Sequence, residues 1–362
     1  MQGSPDAIEA VSQRLERFVS ARVEEAADAG PLARPILELS AATLTGGKRL
    51  RAAFCYWGWR SVTDASPQAS DLPVDIVSAA AALEIFHAAA LVHDDIIDNS
   101  DTRRGRPATH RAFEAAHLAG NWTGDAAAFG RSSGILAGDL LVAWSDDLFE
   151  EGIADTAPDR ARAARRRYAE MRRDVTVGQY LDIAAETVPA PDDQQLDRAL
   201  HVASFKSARY SVQQPLLIGS AIGGARGDQD AALRAFGHPV GMAFQLRDDV
   251  LGVFGDSAAT GKPSGDDLRE GKRTALIAFA RQALPASVRR TLDELLGDPD
   301  LDDAQVRMLQ DTIRDSGALD RVEELIVAYA READRALSGA SLDNASVGAL
   351  RDLARAAVHR QS

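Results

Sequence analysis

An all-α fold is expected from three features of this sequence. Ala and Leu abound and β-branched runs are few, which favours helix over sheet. Only 6% of the residues are aromatic. Apolar residues also recur with a helical period, most plainly at Leu83, Phe86, Ala90 and Leu91, the pattern of one buried helical stripe. With 362 residues and 45% hydrophobic content the chain can bury a large core, and its length allows one big domain or two.

The net charge of -13 and the pI near 5.0 argue against a nucleic-acid partner, because a surface that tracks phosphates needs a cationic balance. Any basic cluster must therefore be local. The lone Cys55 sits in an apolar segment and has no second cysteine to pair with, so an oxidising compartment is not indicated. The opening MQGSPDAIEAVSQRLERF lacks an apolar core of signal-peptide length. No stretch is expected to approach the roughly 18 apolar residues that span a bilayer. The expectation is a soluble, cytoplasmic protein without a transmembrane segment.

Taken in order, residues 7–29 and 32–44 read as two amphipathic helices split at Gly30-Pro31. Thr45-Gly46-Gly47 breaks the second, and Lys48-Arg49-Leu50-Arg51 opens the next. A glycine pair before a helix start frees backbone N–H groups, which with Lys48 and Arg51 would make an anion site. An ordinary loop with a solvated basic turn is the plain alternative. Trp57 and Trp59 are expected in core or interface packing. The stretch 81–110 then runs as an apolar helix that ends in Asp94, Asp95 and Asp98. Asp94 and Asp98 are four apart and share a face. Carboxylates so close repel unless a cation joins them, and Mg2+, which is readily shared with substrate phosphates, suits that set. Arg103, Arg104 and Arg106 around Gly105 suit diphosphate oxygens.

Residues 111–133, rich in Gly, Asn, Thr and Ala, are expected to form a long and partly irregular surface connection. Helices follow over 134–151 and 159–181, the second with a solvated basic face at 160–167. After a break at Val188-Pro189-Ala190-Pro191, a helix from Gln194 carries Lys206, Ser207 and Tyr210, and Pro215 kinks or restarts it. A further apolar helix ends in Asp248-Asp249. It suggests a second wall of one bundle, with substrate phosphate held between opposed carboxylates. Lys262 and Lys272 follow on a Gly-rich stretch suited to closing over phosphate. Beyond Arg273 come amphipathic helices, separated at Gly297-Asp298-Pro299, Gly317 and Gly339, that show no chemistry. Acidic pairs are cheap in a chain with 54 Asp and Glu. Asp146-Asp147 with Glu150 and Asp266-Asp267 with Glu270 repeat the same spacing. What raises Asp94 and Asp248 above these decoys is the end of an apolar helix with cations nearby.

Six motifs, in order, resemble the trans-isoprenyl diphosphate synthases, or polyprenyl synthetases: Gly46-Gly47-Lys48-Arg49-Leu50-Arg51, DDIIDNSDTRRG at 94–105, Gly138-Asp139-Leu140-Leu141, Gly178-Gln179 with Asp182, Lys206-Ser207, and FQLRDDVLGVFGD at 244–256. The resemblance covers most of the chain. It implies one domain over 1–362, a large antiparallel helical bundle around a central cavity, with N-terminal helices over 1–45 and C-terminal helices without catalytic motifs over 275–362. It also implies a homodimer that condenses isopentenyl diphosphate with allylic diphosphates (dimethylallyl, geranyl or farnesyl).

By the same resemblance Asp94, Asp95, Asp98, Asp248 and Asp249 would hold Mg2+, three ions with substrate bound, bridged to the allylic diphosphate. Arg103, Lys206, Lys262 and Lys272 would neutralise its oxygens. Lys48, Arg51, His87 and Arg104 would hold the diphosphate of isopentenyl diphosphate, although a His on an apolar helix is as often a satisfied core residue. Gln245, Gln179 and Ser207 would line the reacting end. Diphosphate departs as a stabilised leaving group in a dry cavity, the isopentenyl double bond attacks the allylic cation, and a proton is lost to the departing diphosphate. Two departures stand out. Gly252 occupies the slot where the second acidic motif commonly has a third Asp, leaving Asp256, Asp266 or Asp267 to supply contacts, and Ala52 replaces a proline after the first basic motif.

A terpene cyclase would need neither the Lys48 and Arg51 site nor the second arginine of the RRG. A non-catalytic partner subunit should have lost acids from the first motif, and only Gly252 feeds that reading. Product length is read from the residues below Asp94, which are Ala90, Ala89 and Phe86. In the family a bulky aromatic four or five before the first Asp closes the cavity at fifteen carbons. Here the first obstacle is Phe86, about one helical turn or 5.4 Å deeper than Ala90. Geranylgeranyl diphosphate is therefore expected as the main product, with farnesyl or geranylfarnesyl diphosphate as alternatives.

Overall fold

Glycine, proline and capping residues set where the helices of this chain begin and end. The computed structural model describes residues 5–63, 72–255 and 264–358, and the all-α expectation holds across them. Two compact units emerge, one of residues 1–163 with 218–224, the other of 164–217 with 225–362.

In the first unit α1 (Pro5–Glu25) ends in a 3-10 turn at Ala26–Ala29, and Gly30 follows in the left-handed region. Next come α2 (Arg34–Ala42), α3 (Leu50–Arg60), α4 (Val74–Ile97), α5 (Thr109–Ala119) and α6 (Ala126–Ile153). α4 packs against α1 and α3 and most extensively against α6. Because partners surround it, it is buried on all sides from Ile76 to Phe86 rather than along one stripe. Its 24 residues have a mean hydropathy of 1.6 over an 18-residue window, enough in length and composition to cross a membrane. That corrects the expectation that no stretch approaches this size; 78% of the window is buried inside the protein.

The expected long connection at 111–133 is also corrected. Helices α5 and α6 fill most of it, and only 120–125 is irregular. Asn121 and Gly124 take positive φ there, and Asp125 caps α6 by accepting from the Ala127 and Ala128 N–H groups. The alanines that made the segment look featureless are good helix formers.

The chain crosses between the units three times, within α7 (Pro158–Thr187), within α9 (Gln214–Gly223) and after Gly224. The second unit contains α8 (Gln195–Ala203), a π-helix (Ser204–Gln213), α10 (Gly227–Phe254), α11 (Asp266–Glu270), α12 (Ala275–Ala283), α13 (Ala286–Leu295), α14 (Asp303–Asp315), α15 (Ala318–Ala336) and α16 (Asn344–Val358). Its core joins Leu246, Val250 and Val253 of α10 to Leu276 and Phe279 of α12, Leu309 of α14 and Val322 of α15. Arg247 clamps Glu323 with bonds of 2.6 and 2.7 Å and donates to the Val358 carbonyl at 3.0 Å. The tail thus anchors α10 beside Asp248 and Asp249; contrary to the expectation that the helix ends at this pair, it runs on for more than a turn to Phe254. Within the basic run of α7, Arg167 departs from a solvated face and pairs with Glu170 and Asp230.

Candidate functional site

In the first unit the basic residues gather through two left-handed loops. Gly46, Gly47 and Arg49 have φ of 75°, 93° and 49°, and Arg49 is the N-cap of α3. A non-glycine residue in that region costs about 1–2 kcal/mol, so something must hold it. The Arg49 guanidinium donates to the Leu44 carbonyl at 2.7 Å and lies 3.6 Å from Glu84. The second loop is a hairpin of β1 (Thr102–Arg103) and β2 (Arg106–Pro107), in register Thr102↔Pro107 and Arg103↔Arg106. Arg104 (φ 54°) and Gly105 (φ 70°) form its turn, as a two-residue hairpin of this twist requires. The loops meet: a Cβ on Gly47 would stand 3.2 Å from the Arg104 guanidinium nitrogens. Lys48 is exposed beside them, and Arg51 is half-buried in the first turn of α3. His87 is partly buried on α4. Burial first, then Arg51, Arg104, Arg103 and Arg49, hold its pKa well below the ordinary histidine value. At neutral pH its imidazole is therefore uncharged.

The three acids at the end of α4 are not equivalent. Asp95 is 2% exposed, and Arg103 binds its Oδ1 through both Nε, at 2.8 Å, and Nη2. The same Nη2 is 3.8 Å from Asp94. Asp94 and Asp98 are half-buried, and Asp98 is the C-cap residue, its N–H donating to the Asp94 carbonyl at 2.8 Å. Ala89 and Phe86 lie buried above them on α4, whereas Ala90 is partly exposed.

In the second unit Asp249 is the buried acid, 7% exposed. Burial raises its carboxyl pKa to about 7, despite the bond it accepts from Gln245 Nε2 at 2.7 Å. Asp248 and Gln245 are half-buried beside it. Lys206 and Lys272 converge on Asp182, with Nζ to Oδ2 distances of 2.5 and 3.4 Å. Lys272 also lies 3.6 Å from Glu186. Gln179 and Ser207 are half-buried, on α7 and the π-helix. The π-helix presses on α7 at Gly178, where a Cβ would lie 2.3 Å from the Lys206 backbone nitrogen. Any side chain at 178 would displace Lys206. Lys262 and Asp256 lie outside the described residues.

The slot of the missing third Asp has an occupant. A Cβ on Gly252 would stand 2.0 Å from Asp267 Oδ2 and 2.3 Å from its Cγ. A carboxylate from α11 therefore fills the space one turn beyond Asp248 where a side chain on α10 would go.

The polyprenyl synthetase family profile matches residues 34–313, a span that takes in every one of these groups. The chain belongs to the polyprenyl synthetase family. It is 31% identical over 298 residues to a geranylfarnesyl diphosphate synthase of Aeropyrum pernix, covering 81% of this chain and 83% of that one. To a geranylgeranyl diphosphate synthase of Methanosarcina mazei it is 30% identical over 293 residues, 79% and 78% of the two chains. Its fold resembles the crystal structure of a Corynebacterium glutamicum geranylgeranyl pyrophosphate synthase complexed with isoprenyl diphosphate and magnesium. The TM-score is 0.92 and the identity 35%, over 99% of this chain and all of that one.

As a polyprenyl synthetase the chain is a trans-prenyltransferase, and its substrates are isoprenyl diphosphates. Sequence reasoning assigned no role to Glu84, Asp182 or the π-helix. Asp182 stands in its motif without a role of its own, and Glu84 stands in a stretch singled out for other residues. The π-helix has no periodic signature that distinguishes one wide turn from an ordinary helix before a proline.

Proposed function

We propose that this prenyltransferase condenses isopentenyl diphosphate with dimethylallyl, geranyl and farnesyl diphosphates, with geranylgeranyl diphosphate as its main product. The observation that carries the product length is the run Phe86, Ala89, Ala90 on α4, where both positions nearest Asp94 are alanine. Phe86, buried in α4, is the proposed floor. The named relatives make products of twenty and twenty-five carbons, so geranylfarnesyl diphosphate is the second reading. Ala90→Phe should shorten the product to fifteen carbons or fewer, and Phe86→Ala should lengthen it. Unchanged product distributions in both variants, read by chromatography of the dephosphorylated alcohols, would place the floor on another helix.

We assign the cation to Mg2+, three ions with substrate bound, held by Asp94, Asp95, Asp98, Asp248 and Asp249. Among the described residues no three His, Cys, Asp or Glu groups converge tightly enough to hold a metal by themselves. The donor set fits Mg2+ even so, since that ion commonly takes one or two carboxylates and completes its octahedron with water and substrate phosphates. Bound Mg2+ would stabilise the negative charge on the departing diphosphate. Lys206, Lys272, Lys262 and Arg103 would neutralise the allylic diphosphate, while Lys48, Arg51, Arg104 and neutral His87 grip that of isopentenyl diphosphate. Gln245, Gln179 and Ser207 would turn amide and hydroxyl oxygens toward the reacting carbons. The allylic C–O bond breaks, the isopentenyl double bond attacks, and the departing diphosphate takes the proton, so no protein base is required.

Both units are taken to work as one catalytic domain in a cytoplasmic homodimer. Exposed Phe129, Ile135 and Leu136 on α6 support the dimer, and the fully buried, unpaired Cys55 is at ease in a reducing compartment. The occupied Gly252 slot removes the one feature that favoured a non-catalytic partner subunit.

A further inference from the structure

Glu84 is an acid buried at the centre of a basic loop system. It lies on α4 with 5% of its side chain exposed, between the core residues Leu83 and Ile85. Its Oε1 accepts the Ala52 N–H at 3.1 Å, one of the donors that the first turn of α3 leaves without a helical partner. Its Oε2 stands 3.6 Å from Arg49 Nη1. The same guanidinium is tied to the Leu44 carbonyl, so Arg49 links the end of the preceding segment, its own left-handed turn and α4. Lys48 and Arg51 flank it in sequence. Glu84 also acts on Arg104: its charge raises that guanidinium's pKa, against the lowering by burial, Arg49, Arg103 and Arg51.

A neutral amide would cap Ala52 equally well. Burying a carboxylate costs several kcal/mol unless cations compensate it, and a core that needed only a cap would have no use for the charge. The charge is explained by the arginines.

We propose that Glu84 is a positioning residue, which acts through Arg49 and the start of α3 to hold Lys48, Arg51 and Arg104 in the arrangement that grips a diphosphate. The proposal rests on the reading of this loop as the isopentenyl diphosphate site. Without Glu84 the cluster of like charges loses its internal counter-ion, and the left-handed turn at Arg49 loses one of its two ties. The guanidiniums then spread, and the ligand must gather them.

The test is calorimetric titration of the full chain with isopentenyl diphosphate in the absence of divalent cation, alongside KM values for both substrates. Glu84→Gln keeps the volume and the acceptor for Ala52 but drops the charge. It should weaken isopentenyl diphosphate by about tenfold, the scale of one charged hydrogen bond, and move the farnesyl diphosphate KM by less than about twofold. In combination with Arg49→Ala the loss should be no larger than that of either single variant. Arg51→Ala reports on the site itself. If Arg51→Ala weakens the ligand and Glu84→Gln does not, Glu84 only fills the core and the proposal is overturned. Additive losses with Arg49→Ala, or equal losses for both substrates with a lowered Tm, overturn it as well. If Arg51→Ala leaves binding unchanged, the diphosphate reading of the loop fails and takes this inference with it.

Discussion

Asp249 holds a carboxyl group where ionisation is resisted. Its pKa is raised from 3.8 to about 7, first by burial. In the unfolded chain the group ionises near its ordinary value, whereas in the fold it keeps its proton to near neutrality. Its contribution to stability is therefore full below pH 3.8 and is lost as pH rises through about 7. Without divalent cation, Asp249→Asn should melt higher than the parent at pH 8 and level with it at pH 4. Cation binding needs the ionised form, so Mg2+-dependent substrate binding should strengthen as pH rises through 7 and release a proton at pH 6, measurable in buffers of different ionisation enthalpy. The asparagine variant should release fewer protons, keeping only the share that comes from the diphosphate itself. At the other acidic group, Asp94→Ala, Asp95→Ala and, from α10, Asp248→Ala should each lower turnover by several orders of magnitude. Asp146→Ala and Asp147→Ala should do almost nothing. Asp95 differs from Asp94 because it is buried on Arg103. Its removal takes two hydrogen bonds from that guanidinium and should also cost about 3 kcal/mol of stability, seen as a lower Tm that Asp94→Ala does not share.

At the scale of the element, α10 is complete without a side chain at position 252. Restoring the commoner sequence by Gly252→Asp should not improve the enzyme. The new Cβ would fall inside the Asp267 carboxylate, so the variant should lose activity and several degrees of Tm, and Asp267→Gly should restore both when added to it. Recovery without the second change would mean that α11 moves aside freely. Much at this scale was legible in the sequence. Gly30-Pro31, the prolines at 189 and 191 and the glycines at 297, 317 and 339 punctuate where the helices do. Asp94, Asp95, Asp248 and Asp249 were singled out from the sequence because acids beside an apolar helical run with cations nearby stand apart from the solvated decoys, and the structure buries Asp95 and Asp249 among them. The start of α6 was hidden because small residues carry no amphipathic signal, and α5 because two of the three residues on its buried face, His110 and His117 beside Phe113, are polar. Asp267 was one of three acids offered for the missing third carboxylate, and only the fold shows that it is the one that lies at Gly252. The contacts of Glu84 with Ala52 and Arg49 were invisible, since they depend on neighbours brought near by folding and no spacing along the chain encodes them.

At the scale of the molecule, each compact unit owns one helix with an acidic pair toward its carboxyl end and its own set of cations. The tail that shows no motif is nonetheless core to the second unit, through Arg247, Glu323 and the α16 carboxyl-end carbonyl of Val358. Assembly belongs to this scale too. Leu136 is exposed on α6, and Leu136→Glu should convert the proposed dimer to monomers in sedimentation velocity without changing helix content. A parent chain that already sediments as a monomer would refute the dimer.

Helix α4 also imposes a schedule on synthesis. Its apolar surface leaves the ribosome with α1 and α3 already made, but its most extensive partner, α6, is complete only at Ile153. At about 5–20 residues per second the intervening segment takes several seconds to emerge. During that interval the nascent chain presents a span that by length and composition passes for a membrane anchor, so anything that reads apolar length in a nascent chain would meet α4 before its own core claims it. Pausing codons placed between Ile97 and Ile153 would lengthen that exposure, and fast translation through the same segment would shorten it.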